Sequence, residues 1–424
     1  MSSTIVVHGQ KKLSGEVFIS GAKNSAVAIL ASCIIANDKC ILENLPDIED
    51  VRIMIKALKE IGARCVFKNK NKNKMEIDTH SVNSSELLFE YLNQMRASYY
   101  FVGALLSRFK QAKVILPGGC AFSVRPIDQH IKAIEAIGAE MSIEHGAIDV
   151  KAIKLAGKII FFDVISVGAT INAMLASVRA EGITILKNAA KEPHVVDTAN
   201  FLNKIGAEIK GAGTDEIKII GKKSFHGTEY CIMPDPIEAG TYMISAAITR
   251  SQICIKNVIS KHLESLSAKL RETNCEIETG NDYIKVDAYE KDLIGTNIKT
   301  MSYPGFPTDL QPQMTAYLAT TKNTSIVTDS IWFDRFQYIN ELKKFGADIK
   351  FENGVAIVNG VKKLSSAQVC ACDLRAGAAL IIAGIASDGV THISNSQYID
   401  RGYENIIGKF KNLGVNIKRS QKKI

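Results

Sequence analysis

Residues 133–143, AIEAIGAEMSI, decide the fold because their pattern recurs along the chain. The segment ends a helical pattern, turns at Gly138 and enters a run typical of a β-strand. Glycine is favoured at such a turn because it adopts the left-handed backbone conformation that often ends a helix. Five other segments share this pattern: ALKEIGARCVF (57–67), FLNKIGAEIKG (201–211), KLRETNCEIET (269–279), ELKKFGADIKF (341–351) and KFKNLGVNIKR (409–419).

The turn positions of the six segments are evenly spaced. They lie 76, 68, 68, 72 and 68 residues apart, which indicates six copies of one unit of about 70 residues. Five of the units have glycine at the turn and one has asparagine, which also tolerates this conformation. The positions are Gly62, Gly138, Gly206, Asn274, Gly346 and Gly414.

A second helix, rich in alanine and other small residues, opens each unit, and we expect it to be buried. Helices that return to strands predict an α/β fold, and six units predict two lobes of three. Prolines at 234 and 236 place one crossover between lobes, and a second is expected at 21–22. We therefore expect an inner lobe of residues 22–234 and a discontinuous outer lobe of residues 1–21 and 235–424. The predicted opening helices span 23–36, 96–106, 168–180, 240–249, 309–319 and 375–386.

The first residues of these helices carry an unusual charge pattern. Lys23, Arg96 and Arg375 place cations at helix N-termini, where the helix macrodipole opposes them. Equivalent positions of stacked repeats tend to lie on one rim, so the set predicts a site for a ligand with several negative groups. The aligned positions in the other three units are Gly168, Gly240 and Asp309.

Composition excludes several classes of protein. Of 424 residues, 46% are hydrophobic and 23% charged, which are ordinary values for a folded globular protein. Apolar stretches are too short to span a membrane, and the first residues do not resemble a signal peptide, so we expect a cytoplasmic protein. Lysine and arginine are spread along the chain, unlike the basic patch of a nucleic-acid binder. The nine cysteines show no metal-site or disulfide spacing, and we expect no metal.

The segment LPGGCAFSVRPID, residues 116–128, is the most informative motif. Its two glycines free the backbone, and Arg125, five residues after Cys120, would lower the pKa of the thiol. With this and seven further motifs, the chain resembles the UDP-N-acetylglucosamine 1-carboxyvinyltransferases, a family of enolpyruvyl transferases. The other motifs are SGAKN (20–24), MRAS (95–98), SVGAT (166–170), FPTD (306–309), DLR (373–375) and DRGYE (400–404), with RPID (125–128) inside the quoted segment.

The resemblance covers essentially the whole chain and implies a fold and a reaction. The fold is two inside-out α/β lobes around a cleft that holds the active site. The reaction transfers the enolpyruvyl group of phosphoenolpyruvate to the 3′-hydroxyl of UDP-N-acetylglucosamine, releases phosphate, and begins peptidoglycan synthesis. It passes through a tetrahedral intermediate and needs no cofactor.

The same resemblance implies catalytic roles. Cys120, on a mobile loop at about 116–126, would deliver a proton or attack phosphoenolpyruvate, and is the target of fosfomycin. Asp309 would contact the 3′-hydroxyl as general base, a role that a raised pKa would support; its alternative is a helix N-cap. Lys23 and Arg401 are catalytic cations, and Asp373 is a partner carboxylate. The residues expected to bind phosphoenolpyruvate are Lys23, Asn24, Cys120, Arg125, Arg335, Arg375 and Arg401.

Binding of the nucleotide sugar is implied for a second set of residues, in which the backbone N–H groups at 166–168 would face the diphosphate. Within this set Tyr100 keeps an aromatic ring where some relatives carry tryptophan. The set consists of Asn24, Arg96, Tyr100, Arg125, Pro126, Ile127, Asp128, Gln129, His130, Ser166, Val167, Gly168, Asp309 and Ile331.

Three other functions are alternatives. A shikimate-pathway enolpyruvyl transferase shares the fold but lacks the loop of Cys120. A catalytically silent paralogue would bind the UDP-sugar as a sensor, and a repeat scaffold would bind polyanions with steep salt dependence. For the favoured reaction we expect small-molecule partners only, neither nucleic acid nor membrane, and a monomer.

Overall fold

A computed structural model describes residues 3–70, 73–116 and 127–421. These residues divide into two compact units. We call residues 21–70, 73–116 and 127–233 the inserted unit, and residues 3–20 together with 234–421 the split unit. Each unit is described separately below.

The strands of the described residues are, in chain order, β1 (Ser3–His8), β2 (Glu16–Phe18), β3 (Lys39–Glu43), β4 (Arg64–Phe67), β5 (Met75–Asp78), β6 (Glu86–Leu87), β7 (Gln111–Ile115), β8 (Glu140–Glu144), β9 (Ala147–Lys151), β10 (Ile159–Phe161), β11 (Ile183–Lys187), β12 (Glu208–Lys210), β13 (Glu216–Ile220), β14 (Glu229–Cys231), β15 (Gln252–Lys256), β16 (Glu276–Thr279), β17 (Tyr283–Asp287), β18 (Ile298–Thr300), β19 (Thr324–Asp329), β20 (Asp348–Glu352), β21 (Val355–Asn359), β22 (Gln368–Cys370), β23 (Val390–Ser394) and β24 (Ile417–Gln421).

The α-helices of the same residues are α1 (Lys23–Ala36), α2 (Glu49–Glu60), α3 (Tyr99–Phe109), α4 (Asp128–Ala136), α5 (Val167–Ser177), α6 (Pro193–Lys204), α7 (Pro236–Ile248), α8 (Glu264–Glu272), α9 (Gln311–Leu318), α10 (Tyr338–Lys344), α11 (Leu374–Ala386), α12 (Gln397–Asp400) and α13 (Ile406–Asn412).

The described strands form six four-stranded sheets of one topology, which confirms the predicted repeat. In each sheet an edge strand pairs in parallel with its neighbour, and the remaining pairs are antiparallel. The inserted unit holds β14-β3-β5-β4, β6-β7-β9-β8 and β10-β11-β13-β12; the split unit holds β2-β15-β17-β16, β18-β19-β21-β20 and β22-β23-β1-β24.

The last sheet of the split unit is completed by the beginning of the chain. Strand β1 pairs antiparallel with β23 and with β24, and Ser3 stands opposite Gln421. It occupies the position that the second strand after the helix–turn segment fills in the other units, for example β5 after β4. The sixth repeat therefore takes its final strand from residues 3–8.

One helix of each repeat is buried on all sides, and three such helices form the centre of each unit. Twelve of the fourteen residues of α1 are buried, and it packs against α3 and α6, while α3 packs against α5. In the split unit α9 packs against both α7 and α11. Small residues let these helices approach closely, so the sheets lie outside them, which is the inside-out arrangement expected.

The six turn positions all have the predicted left-handed conformation. Their φ angles are +100° at Gly62, +97° at Gly138, +110° at Gly206, +71° at Asn274, +85° at Gly346 and +93° at Gly414. A side chain with a Cβ disfavours this region, which explains the choice of glycine and asparagine.

Three predicted helix starts differ from the structure by more than one residue. Helices α3 and α9 begin at Tyr99 and Gln311, each directly after a 3-10 helix that contains the expected first residue, Arg96 or Asp309. Helix α7 begins at Pro236, four residues before the expected start at Gly240. Asp235 caps it, because its Oδ1 accepts hydrogen bonds from the backbone N–H groups of Ile237 (2.8 Å) and Glu238 (3.1 Å). Proline suits the first helical position, where its missing N–H is not needed.

Candidate active site

A carboxylate held between two arginines is the most concentrated charge cluster of the split unit. Asp309 lies in a short 3-10 helix, Thr308–Leu310, just before α9. Its Oδ1 accepts a hydrogen bond from Nη1 of Arg335 at 2.8 Å, and its Oδ2 accepts two from Arg375, from Nε at 3.1 Å and Nη2 at 2.9 Å. The structure thus brings together three of the residues that the sequence singled out.

Burial makes these ion pairs strong. The exposed fractions of the side chains are 28% for Asp309, 6% for Arg335 and 2% for Arg375. Burial alone would raise the pKa of Asp309, but Arg375 and Arg335 lower it far below its ordinary value. The raised pKa that would favour a general base is therefore absent from this arrangement, and the carboxyl group is held ionised.

Asp309 does not cap its helix. The 3-10 helix has no side-chain cap hydrogen bond, and both carboxylate oxygens are engaged by arginine. The capping role considered as its alternative is thus not what this side chain does.

Asp373 and Arg375 stand at the start of α11. Asp373 caps the helix, because its Oδ1 accepts hydrogen bonds from the backbone N–H groups of Arg375 (2.7 Å) and Ala376 (3.0 Å). The guanidinium carbon of Arg375 lies 5.4 Å from the centre of the Tyr403 ring. The Tyr403 hydroxyl in turn contacts Thr241 at 2.8 Å and accepts a hydrogen bond from Gln313 at 3.1 Å. Arg375 therefore packs against a buried hydrogen-bonded network formed by Tyr403, Thr241 and Gln313.

Two other expected site residues of the split unit, Ile331 and Arg401, lie near Arg335 and Tyr403 in sequence. Their backbone N–H groups contact neighbouring residues of the chain. Ile331 lies in the turn after β19, and its N–H donates to Asp329 at 2.9 Å. Arg401 directly follows α12 and is half-buried, with its N–H 3.4 Å from the carbonyl oxygen of Tyr398.

In the inserted unit, the expected catalytic lysine begins a buried helix. Lys23 is the first residue of α1 and Asn24 the second. The Nζ atom of Lys23 lies 2.9 Å from Oδ2 of Asp50, whose side chain is only 3% exposed. Helix α2, which carries Asp50, therefore fixes the position of this cation.

His130 faces the start of α5. Asn172 uses its Oδ1 to accept the N–H of Gly103 (2.8 Å), so its Nδ2 donates to Nδ1 of His130 (3.1 Å). This places the ring proton of neutral His130 on Nε2. Burial lowers the pKa of His130 to about 4, so the ring is neutral at pH 7. A Cβ atom added to Gly168 would lie 3.0 Å from Nε2, which shows how closely the ring approaches the helix.

The start of α5 has the features expected of an anion site. Ser166 caps it by accepting the N–H of Ala169 at 3.3 Å, and Val167 and Gly168 follow as its first residues. A helix N-terminus of this kind offers backbone N–H groups and a positive dipole end to a phosphate.

The remaining residues expected to bind the nucleotide sugar lie around α3 and α4. Arg96 is in a 3-10 helix, Arg96–Ser98, before α3, and Tyr100 is in the first turn of α3. Ile127 precedes α4, and Asp128 begins it. Gln129 donates through Nε2 to Asp128 at 2.7 Å and to Asp163 at 3.2 Å, which ties α4 to the segment before α5.

Three expected site residues, Cys120, Arg125 and Pro126, lie outside the described residues. In the part of the chain that is described, no group of three or more histidine, cysteine or acidic side chains is placed to hold a metal ion. No helix in that part is long and apolar enough to cross a membrane.

The chain is similar to named transferases over almost its whole length. It is 52% identical to UDP-N-acetylglucosamine 1-carboxyvinyltransferase 2 of Clostridium acetobutylicum, over 98% of this chain and 99% of the relative. The family model of EPSP synthase (3-phosphoshikimate 1-carboxyvinyltransferase) matches residues 7–410. The chain belongs to the enolpyruvyl transferase family. A second relative, UDP-N-acetylglucosamine 1-carboxyvinyltransferase 2 of Bacillus subtilis, is 50% identical over 98% of this chain and 96% of its own.

Solved structures of enolpyruvyl transferases share the fold. The enolpyruvyl transferase NikO from Streptomyces tendae has a TM-score of 0.89 and 24% identity, covering 99% of both chains. EPSP synthase from Acinetobacter baumannii has a TM-score of 0.76 and 19% identity, covering 99% of this chain and all of its own. At these identities the comparison concerns the fold alone.

Sequence reasoning missed several residues that contact the expected site residues or their neighbours. Asp50 pairs with Lys23, and Asn172 orients His130. Thr308 accepts a hydrogen bond from Arg335 and donates one to Asp329. Only Thr308 gave a signal, as a member of the FPTD motif at 306–309. Asp50, Asn172 and Asp329 lie far in sequence from Lys23, His130 and Thr308, so only the fold brings these side chains together.

Proposed function

We propose that this chain transfers the enolpyruvyl group of phosphoenolpyruvate to the 3′-hydroxyl of UDP-N-acetylglucosamine and releases phosphate. The observation that carries the proposal is Asp309 held between Arg335 and Arg375. A hydroxyl nucleophile needs a carboxylate to accept its proton, and a substrate with phosphate and carboxylate groups needs arginines. The relatives named as UDP-N-acetylglucosamine 1-carboxyvinyltransferases support the choice of substrates.

Asp309 accepts the proton of the 3′-hydroxyl in this proposal. Its two arginine partners keep it ionised, but they also make it a weak base. When the negative groups of phosphoenolpyruvate attract one of the arginines, Asp309 loses part of that stabilisation and its basicity increases. Substrate binding and activation of the base are thereby coupled through Arg335 and Arg375.

The remaining steps complete the proton and bond balance. Cys120 protonates the methylene carbon of phosphoenolpyruvate while the 3′-oxygen bonds to its C2 carbon, which gives a tetrahedral intermediate. Return of a proton from the new methyl group to the Cys120 thiolate and departure of phosphate restore the double bond. The departing phosphate takes the proton that Asp309 had accepted, so both residues return to their starting states. Lys23, Arg125 and Arg401 stabilise the negative charge of the phosphate and carboxylate during these steps.

The nucleotide sugar is assigned to the inserted unit. The N–H groups at the start of α5 suit its diphosphate, and the Nε2 proton of His130 is a further neutral donor. Arg96, Tyr100 and residues 125–129 are assigned to the sugar and uridine. The product then serves peptidoglycan synthesis in the cytoplasm, with the enzyme acting as a monomer.

A second candidate is the shikimate-pathway reaction, because the matching family model carries the description EPSP synthase. Phosphate release from phosphoenolpyruvate is therefore measured with UDP-N-acetylglucosamine and, separately, with shikimate-3-phosphate. Release with the nucleotide sugar alone is the expected result. Release with shikimate-3-phosphate alone would establish the second candidate, and saturable nucleotide-sugar binding with no release would favour a sensor.

Cys120 is tested in the same assay. Cys120→Ser should weaken or stall the reaction and abolish inactivation by fosfomycin. The control variant Cys231→Ser, at an exposed cysteine of the described residues, should react and be inactivated as the wild type is. Unchanged fosfomycin inactivation of Cys120→Ser would remove this thiol from the proposed mechanism.

A further inference from the structure

A buried carboxylate at the end of β19 collects hydrogen bonds beside the Asp309 cluster. Asp329 is 2% exposed. Its Oδ1 accepts from the Thr300 hydroxyl at 2.7 Å and from the backbone N–H groups of Ile331 (2.9 Å) and Trp332 (2.8 Å). Its Oδ2 accepts from the Thr308 hydroxyl at 2.6 Å. Asp329 therefore joins the segment before Asp309 to the turn that leads to Arg335.

The Thr308 hydroxyl is oriented by this contact. Because its proton points to Asp329, its oxygen lone pairs are available to a donor, and Nη1 of Arg335 donates to it at 3.1 Å. The same Nη1 atom donates to Oδ1 of Asp309 at 2.8 Å. A guanidinium Nη carries two hydrogens, so one hydrogen serves each acceptor.

We infer that Thr308 and Asp329 are positioning residues for Arg335. Asp329 sets the direction of the Thr308 hydroxyl, and that hydroxyl holds the guanidinium of Arg335 at the angle from which it reaches Asp309. The inference rests on the proposed function, since it concerns how Arg335 meets phosphoenolpyruvate. Both residues act on the reaction through the arginine in this inference.

Thr300 offers a matched control. Its hydroxyl also donates to Asp329, and it also accepts one N–H, that of Ser330 at 3.0 Å. Replacing either threonine with valine thus removes one donor to the same carboxylate and one acceptor. Only Thr308 is linked to Arg335. A difference between the two variants therefore measures the link to the arginine rather than the loss of buried hydrogen bonds.

The test compares steady-state kinetics and thermal unfolding of Thr308→Val, Thr308→Ser and Thr300→Val. For Thr308→Val we expect the KM for phosphoenolpyruvate to rise about tenfold, because a hydrogen bond to a charged group is lost. The KM for UDP-N-acetylglucosamine should stay unchanged. Thr308→Ser keeps the hydroxyl and should restore the wild-type KM, and Thr300→Val should unfold as readily as Thr308→Val with an unchanged KM.

A second variant tests Asp329 directly. Asp329→Asn places an amide N–H toward Thr308, which turns the hydroxyl and should raise the same KM. In an Arg335→Lys background, Thr308→Val should add little, because the group it positions has been replaced. Equal KM values for Thr308→Val and Thr300→Val would overturn the inference. Absence of any reaction in the wild type would instead refute the proposed function, so the two failures are distinct.

Discussion

The start of α11 in the split unit and the start of α5 in the inserted unit occupy the same place in the repeat, yet their chemistry differs. At α11 a carboxylate caps the helix and Arg375 ion-pairs with Asp309. At α5 a serine caps the helix, glycine leaves space, and the nearby His130 is neutral. The same position in the repeat thus has two kinds of surroundings. Paired charged side chains lie at the start of α11, whereas backbone N–H groups and a neutral ring lie at the start of α5, where we propose that an anion binds.

The largest expected effect is on the charged site. Asp309→Asn removes the proton acceptor and should lower kcat by roughly 10²- to 10⁴-fold, which is the usual contribution of a general base. It also leaves two buried arginines without their carboxylate and should cost about 3–5 kcal/mol of folding free energy. Phosphate release and urea unfolding measure the two effects.

A matched control for Asp309→Asn is Asp348→Asn, at an exposed carboxylate of the same unit. This variant should keep wild-type kcat and stability. A wild-type kcat in Asp309→Asn would show that this carboxylate is not the proton acceptor. The charged cluster at α11 would then contribute no more to turnover than the start of α5.

The next expected effect, on the pH dependence of the free energy of unfolding, comes from His130, beside the start of α5. The pKa of His130 is lowered by burial to about 4, below the ordinary 6.5, so the unfolded chain binds a proton that the folded chain excludes. Its contribution is complete above pH 6.5 and is lost as the pH falls toward 4, by about 3 kcal/mol in total. Urea midpoints of the wild type should fall more steeply between pH 7 and pH 5 than those of His130→Gln. Parallel curves would mean that folding leaves the pKa of His130 unchanged. His145→Gln, at an exposed histidine, serves as control.

A smaller effect is expected from closing the space at α5. In Gly168→Ala the new Cβ would lie 3.0 Å from Nε2 of His130, so the ring must shift. The KM for UDP-N-acetylglucosamine should rise about tenfold while that for phosphoenolpyruvate stays unchanged. Gly384→Ala, in α11, adds the same methyl group beside Thr391 at 3.3 Å and should change neither. A rise confined to phosphoenolpyruvate would reverse the assignment of the two sites.

The smallest expected effect is the difference in unfolding free energy between variants of the two helix-capping residues, Asp373 and Ser166. Asp373 accepts two N–H groups at 2.7 and 3.0 Å, whereas Ser166 accepts one at 3.3 Å. Asp373→Ala should therefore cost about 1–2 kcal/mol of unfolding free energy and Ser166→Ala about 0.5 kcal/mol. Asp373→Asn and Ser166→Thr keep a cap and should lie near the wild type in urea unfolding. The opposite order would show that the serine cap is the stronger.

The fold could be predicted from the sequence where a local rule and the repeat agreed. Gly62 and its five counterparts marked the end of a helix because few other residues adopt that conformation, and all six have positive φ. Asn353 and Gly354, in the turn between β20 and β21, show the same residue preference, with φ values of +50° and +76°. The helix start predicted at Gly240 was wrong because it was placed by the spacing of the repeats. The capping residue Asp235 and the proline Pro236 start α7 four residues earlier.

The sequence could predict only those site residues that belong to a recognisable motif. The pairing of Asp309 with Arg335 and Arg375 depends on three segments meeting in the split unit, and so does its lowered pKa. Asp329 and Asn172 lie in no motif, because their role is to contact another side chain rather than a ligand. The lobe boundaries expected at residues 21 and 235, and the roles of the site residues, stay predictions.

The pairing of β1 with β23 and β24 has a consequence for biosynthesis. Residues 3–8 leave the ribosome long before the strands that flank them, 390–394 and 417–421. All described strands of the inserted unit lie before residue 234, so that unit can fold while the rest of the chain is still being translated. Until β23 and β24 are translated, β1 has no strand with which to form its backbone hydrogen bonds. A ribosome stalled near residue 380 would therefore carry a folded inserted unit and a split unit whose last sheet is incomplete.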